Sequence, residues 1–191
     1  QAFPELNIIE VLPEKIPSIA IAQLSIIIIL GMLEEIFKQT FLRKVDSRWL
    51  MIQTVNDSIK LAMIAALGFS FAENIYPYFF TLLKRGNYQE LMGAFMVRSL
   101  FTSAMHIAVS GIFGYYYGVS KFAIDFREQD KWVGEKNYVA RAISSMFNIP
   151  QSEAFREQKI LKGLFIAMGI HAAFNFLAHY QLILQALILV I

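Results

Sequence analysis

The chain of 191 residues contains no cysteine. Disulfides, thiolate nucleophiles and zinc–cysteine centres are thereby excluded. Charge is also scarce. Asp, Glu, Lys and Arg make up 17% of the residues, where a soluble domain carries about 25%. The net charge is +2, too little to attract a polyanion, so no nucleic-acid partner is expected. No internal repeat, low-complexity tract or HExxH motif occurs. Disorder and coiled coils are poor readings of such a composition. The length suits a single domain.

What the chain has in excess is apolar residues, at 57%, with a mean hydropathy of +0.50. They run almost unbroken through residues 17–41, 59–83, 91–119 and 160–191. About 20 such residues cross the roughly 30 Å of bilayer hydrocarbon. The runs are internal and too long for a cleaved signal peptide. The expected architecture is an all-α, polytopic membrane helix bundle, with at least four transmembrane helices around a polar intramembrane cavity. The fourth run reads as one long helix or as two short ones broken near 179–181. One membrane-embedded domain is expected over 1–191. The chain begins at Gln1 and ends at Ile191 within an apolar run, so a fragment of a longer protein is expected.

The basic residues collect in two links. Link 42–56 carries Arg43, Lys44 and Arg48, and link 121–159 carries Lys121, Arg127, Lys131, Lys136, Arg141, Arg156 and Lys159. The positive-inside rule places both in the cytoplasm of a multi-pass cell-membrane protein. Stretch 138–147 is weakly amphipathic. It reads either as a helix on the membrane surface or as a solvated linker. Pro150 ends any helix there.

An ionisable group at bilayer depth costs about 2.5–3.5 kcal/mol on insertion scales, so each one asks for a reason. The first span holds Glu34, Glu35 and Lys38. Glu34 and Lys38 are spaced to pair on one helix face. The second holds Glu73 and Asn74 midway along, too deep for Glu73 to snorkel to water. The third holds His106 in a polar stripe with Ser99, Ser103 and Ser110, followed by Gly111, Gly114 and Gly118. That glycine track reads as close helix packing. The fourth holds His171 and Asn175, which share a face.

Burying these groups separately would be costly several times over. Gathering them in one wet cavity costs less. A carboxylate or histidine there can take a proton from water, and donors opposite can hold the oxyanion of a peptide carbonyl. The cluster points to hydrolysis within the membrane.

These residues resemble a known family. Glu34-Glu35-Ile36-Phe37-Lys38 is similar to the EExxK motif of the PrsW family of intramembrane proteases. Phe69 to Asn74 resembles its FxxxEN motif, and His106 precedes a glycine-rich helix end as in that family. His171 to Asn175 resembles the HxxxN motif of the wider superfamily of CAAX prenyl proteases and bacteriocin-processing proteases. Lys38 stands one position earlier than the arginine of the prenyl proteases, and Glu73 stands at their FxxxH histidine, which favours the PrsW branch.

The resemblance implies an intramembrane endopeptidase. Glu34 would be the general base on water, with Glu35 held by Lys38. His171 and Asn175 would form the oxyanion hole, and His106 or Glu73 would position the water, with Asn74 in support. The implied substrate is a membrane-anchored protein, such as an anti-sigma factor cut at its first site in a stress response. No cofactor is required on this reading. Two alternatives remain. One is a metal-dependent protease on the same scaffold, with a divalent ion such as zinc on His106, His171, Glu73 and Glu34. The other is a proton- or cation-coupled transporter using Glu34, Glu73 and His106 as a relay.

Overall fold

A computed structural model describes residues 19–49, 52–85, 88–123, 125 and 137–179. Among them the secondary structure is helical throughout, with no strand. Helix α1 is Ile19–Trp49 and α2 is Val55–Arg85. Helix α3, Tyr88–Val97, passes through a π-helical turn at Arg98–Thr102 into α4, Ser103–Lys121. Helix α5 is Tyr138–Phe147 and α6 is Gln151–His179.

Local chemistry sets the boundaries. At the start of α2, the Asp57 backbone N–H donates to Thr54 Oγ1 at 3.2 Å, and the Thr54 N–H donates to Asp57 Oδ2 at 2.9 Å. This reciprocal pair satisfies donors that the helix itself leaves open. Asn137 caps α5 by accepting from the Ala140 N–H at 2.9 Å. The same helix ends at Asn148, whose φ of 51° is left-handed. Pro150 then separates α5 from α6, as expected.

The expected third span is not one continuous α-helix, because the π-helical turn interrupts it. Such a turn shifts the face that the following residues present. The fourth helix begins at Gln151 rather than near 160. Ala154 and Phe155, both buried with Ala140, draw this polar first stretch into the packed structure. The stretch 180–191 of the expected fourth span, and the suggested break near 179–181, lie outside the described residues. So do positions 17 and 18 of the first span.

Helix α4 is the centre of the bundle, packed on α2 along one side and α6 along the other, and α1 closes against α6. The contact with α2 is close because of the glycine track. A Cβ built on Gly114 would lie 2.8 Å from the Ala62 Cβ and from the Ser58 carbonyl oxygen. Ser58 Oγ donates to the Gly114 carbonyl at 2.7 Å across the same contact. The packing expectation for the track holds.

Beside its apolar core the interior holds many polar groups, and the outer faces are unusually apolar. The buried set includes Glu35, Lys38, Gln39, Ser58, Ser70, Asn74, His106, Ser110 and His171. The outer faces carry Ile29, Phe37, Ile64, Phe71 and Phe165, each more than half exposed. Exposed aliphatic and aromatic residues around a polar interior suit a lipid surround. Among the described residues two segments, Val55–Ile75 and Gln151–Ala178, are by length and composition apolar enough to cross a membrane.

Candidate active site

Helix α1 supplies Glu34, Glu35 and Lys38. The Lys38 ammonium donates to Glu35 Oε1 at 2.7 Å and lies 2.6 Å from His106 Nδ1 on α4. The other neighbour of Glu35 comes from α6, where His171 Nδ1 stands 2.8 Å from Glu35 Oε1. Glu35, His106 and His171 are each only 1% exposed. One carboxylate thus ties a lysine on its own helix to a histidine on another, and the lysine reaches a third helix. The Glu34–Lys38 pairing that spacing alone allows is not formed, and Lys38 holds Glu35, the partner the resemblance implied. Glu35 shares the inward face with Lys38, and Glu34 turns instead toward His171, with Oε2 at 3.2 Å from Nε2.

Helix α2 supplies Glu73, whose Oε2 lies 3.1 Å from His106 Nε2. The two imidazoles meet edge to face, with centroids 5.0 Å apart. Glu34, Glu35, Glu73, His106 and His171 therefore converge, as the sequence suggested. Asn175 lies one turn beyond His171. A Cβ added to Gly31 on α1 would touch the Asn175 amide nitrogen and His171 Cδ2, each at 3.6 Å. Asn74 faces elsewhere within the seam. Its amide donates to Ser70 Oγ at 3.4 Å, and Ser70 Oγ is 2.7 Å from Ser103 Oγ on α4.

Two residues were not singled out by the sequence reading. The Phe69 ring carries the Lys38 ammonium 4.9 Å above its centroid and meets His106 edge-on at 5.9 Å. A cation over an aromatic face in a dry interior gains about 2 kcal/mol. Phe69 opens the FxxxEN motif, which is the signal that could have identified it. Gly31 is the second. It stands one turn before Glu34 and Glu35 on α1 and leaves room for the His171–Asn175 face.

The histidine tautomers follow from their partners. His171 Nδ1 needs a proton to donate to Glu35, so the neutral ring presents a lone pair at Nε2. That lone pair faces a Glu34 oxygen, and only a proton or a cation between them relieves the repulsion. Glu34 Oε2 and His106 Nε2 are buried atoms with no aligned hydrogen-bond partner. One ligand atom each from Glu34, His106 and His171 lie within 4.8 Å of one another. Nitrogen and oxygen ligands around tetrahedral zinc stand about 2.0–2.2 Å from the ion, so a small inward movement brings this set to bonding distance. Glu35 on Nδ1 of His171 is the orienting carboxylate that metal-bound histidines usually have. Glu34 and His171 fit a divalent ion as they stand, and His106 joins them once the Lys38 ammonium, 2.6 Å from its Nδ1, moves away and frees Nε2 to ligate.

The family described as PrsW family intramembrane metalloprotease matches residues 5–191. That is nearly the whole chain, and the chain belongs to this family. No curated protein and no solved structure matches the chain.

Proposed function

We propose that this PrsW-family chain hydrolyses peptide bonds of membrane-anchored proteins inside the bilayer, at the cluster of Glu34, Glu35, Glu73, His106 and His171. The observation that carries the reading is the meeting of these groups from α1, α2, α4 and α6, with Glu34 Oε2 facing His171 Nε2 at 3.2 Å and Glu73 Oε2 facing His106 Nε2 at 3.1 Å. We further propose a single multi-pass domain whose four apolar runs all span the membrane, with links 42–56 and 121–159 in the cytoplasm. An anti-sigma factor is the proposed substrate type.

In the leading form, Glu34, His106 and His171 would hold a divalent ion, which when bound would supply Lewis-acid activation of water and of the scissile carbonyl. Glu35 keeps the His171 ring oriented through Nδ1. Glu73 takes the proton of the attacking water and returns it to the leaving amine. The Asn175 amide, beside Gly31, donates to the oxygen that gains charge at the carbonyl.

One observation favours a metal-free form. The Lys38 ammonium approaches His106 Nδ1 at 2.6 Å. If it donates there, His106 carries its proton on Nε2 and directs it toward Glu73. In this form Glu34 is the base, His171 and Asn175 donate to the oxyanion, and His106 with Glu73 positions the water. Metal analysis of purified protein separates the two. The leading form predicts about one divalent ion per chain, absent from Glu34→Gln and His171→Ala, and loss of cleavage with a chelator. Full cleavage by protein free of metal would leave the second form. Proton-coupled flux in liposomes without proteolysis would favour a transporter over both.

A further inference from the structure

Beside the cluster, α1 and α2 part to form a cavity of about 550 Å³. Phe37 and Phe41 of α1 wall one side, and Ile64, Gly68 and Phe69 of α2 the other. Phe37 and Ile64 are 65% and 67% exposed, so the groove opens on the outer surface of the bundle. Lys38 is the one charged residue lining it. Lys38 is also bonded to Glu35 and close to His106. The groove is therefore apolar apart from Lys38, through which it borders the catalytic cluster.

Gly68 is the informative residue. Glycine is among the poorest helix formers, and in a packed bundle it is usually required by a close neighbour, as at Gly114. At Gly68 an added Cβ meets nothing within 4 Å. Among the described residues no helix contact requires this glycine, as none requires Gly93 or Gly169, but Gly68 is the one of the three that lines the groove, and its missing side chain leaves the groove open there. A volume in the range of roughly 300–1,000 Å³ suits an occupant of ligand size, here a few apolar side chains of an unwound segment.

We propose that this groove seats an apolar stretch of the substrate's membrane-spanning segment next to the scissile bond, with Gly68 admitting its large side chains. The proposal rests on the protease reading, which fixes the occupant as a membrane protein segment rather than a lipid tail. The favoured substrate residue is leucine- or phenylalanine-sized. An Ala-lined segment fills the groove poorly.

The test places a photo-crosslinking benzophenone side chain at Ile64 in the Glu34→Gln protein. This protein is co-expressed with single-span reporters whose spanning segments carry Leu, Phe or Ala. Crosslinking to the Leu and Phe segments is expected, falling about tenfold when Gly68→Leu is added. Gly169→Leu is the control, since a Cβ there also meets nothing within 4 Å but lies on α6, away from the groove. It should leave crosslinking unchanged. In parallel, Gly68→Leu in otherwise wild-type protein should slow cutting of the Leu and Phe reporters about tenfold more than the Ala reporter. Crosslinks to lipid alone, or crosslinks and preferences indifferent to Gly68→Leu, would overturn the proposal. Reporters cut by wild type without crosslinking would overturn the groove and leave the protease reading intact. Crosslinked reporters that wild type never cuts would support the groove and count against the protease.

Discussion

Glu35 is the residue on which the interior charges balance. Replacing it with Gln keeps the shape and removes the negative charge that faces Lys38 at 2.7 Å and His171 at 2.8 Å. At an effective dielectric of about 20, a unit pair at that distance attracts by roughly 6 kcal/mol. Desolvation offsets part of this, and removing one partner of a buried pair costs about 3–5 kcal/mol. The loss in Glu35→Gln comes mainly from Lys38, left as an ammonium in a dry interior with a neutral amide and an imidazole. Lys38→Met in the same chain removes that stranded charge. The double variant should regain about 1–3 kcal/mol relative to the sum of the two single losses. The assay is thermal unfolding in mild detergent, followed by tryptophan fluorescence. A loss of about 3–5 kcal/mol corresponds to a fall of roughly 6–20 °C for a chain of this size. Strict additivity of the two substitutions would mean that Glu35 and Lys38 do not neutralise each other within the folded bundle.

Other consequences are open to the same kind of measurement. Gly114→Ala should destabilise the bundle by about 1–3 kcal/mol, because its Cβ would sit 2.8 Å from Ala62 Cβ and Ser58 O. Gly68→Ala, with nothing to meet, should leave the melting temperature unchanged or raise it slightly. Asp46 accepts from Tyr117 at 3.0 Å and from Lys121 at 2.6 and 2.8 Å, joining α1 to α4. Asp46→Ala should cost about 2–3 kcal/mol in denaturant titration, and Tyr117→Phe, which removes only the neutral partner, about 1 kcal/mol. Asn137→Ala should lower the local stability of α5 by about 1 kcal/mol, read as faster amide exchange there with little change in global unfolding.

The parts of the fold that could be read from the sequence were those set by composition and spacing. Continuous apolar runs predicted helices, and the ionisable residues within them predicted a shared interior, because isolated charges in lipid are costly. The glycine track gave its own meaning, since Gly114 allows only one kind of neighbour. What spacing could not give was the choice between Glu34 and Glu35. Both lie within a turn of Lys38, and only the position of His106 on another helix turns the lysine toward Glu35. The π-helical turn before α4 was equally hidden, because nothing in Arg98–Thr102 breaks an α-helix by propensity. Phe69 and Gly31 were missed for a related reason. One is apolar and one has no side chain, so neither announces chemistry until the neighbouring helices are in place.

Cleavage of membrane-embedded substrates at the Glu34–His171 cluster can be measured by reconstituting wild type, Glu34→Gln and His171→Ala in proteoliposomes with a single-span reporter. Mass spectrometry of the products locates the cut. Wild type should cut within or bordering the spanning segment, and both variants should lose about 10³-fold or more at equal reconstituted protein. Cleavage by Glu34→Gln at the wild-type rate, or a cut only in the reporter's soluble domain, would contradict intramembrane cleavage at this cluster.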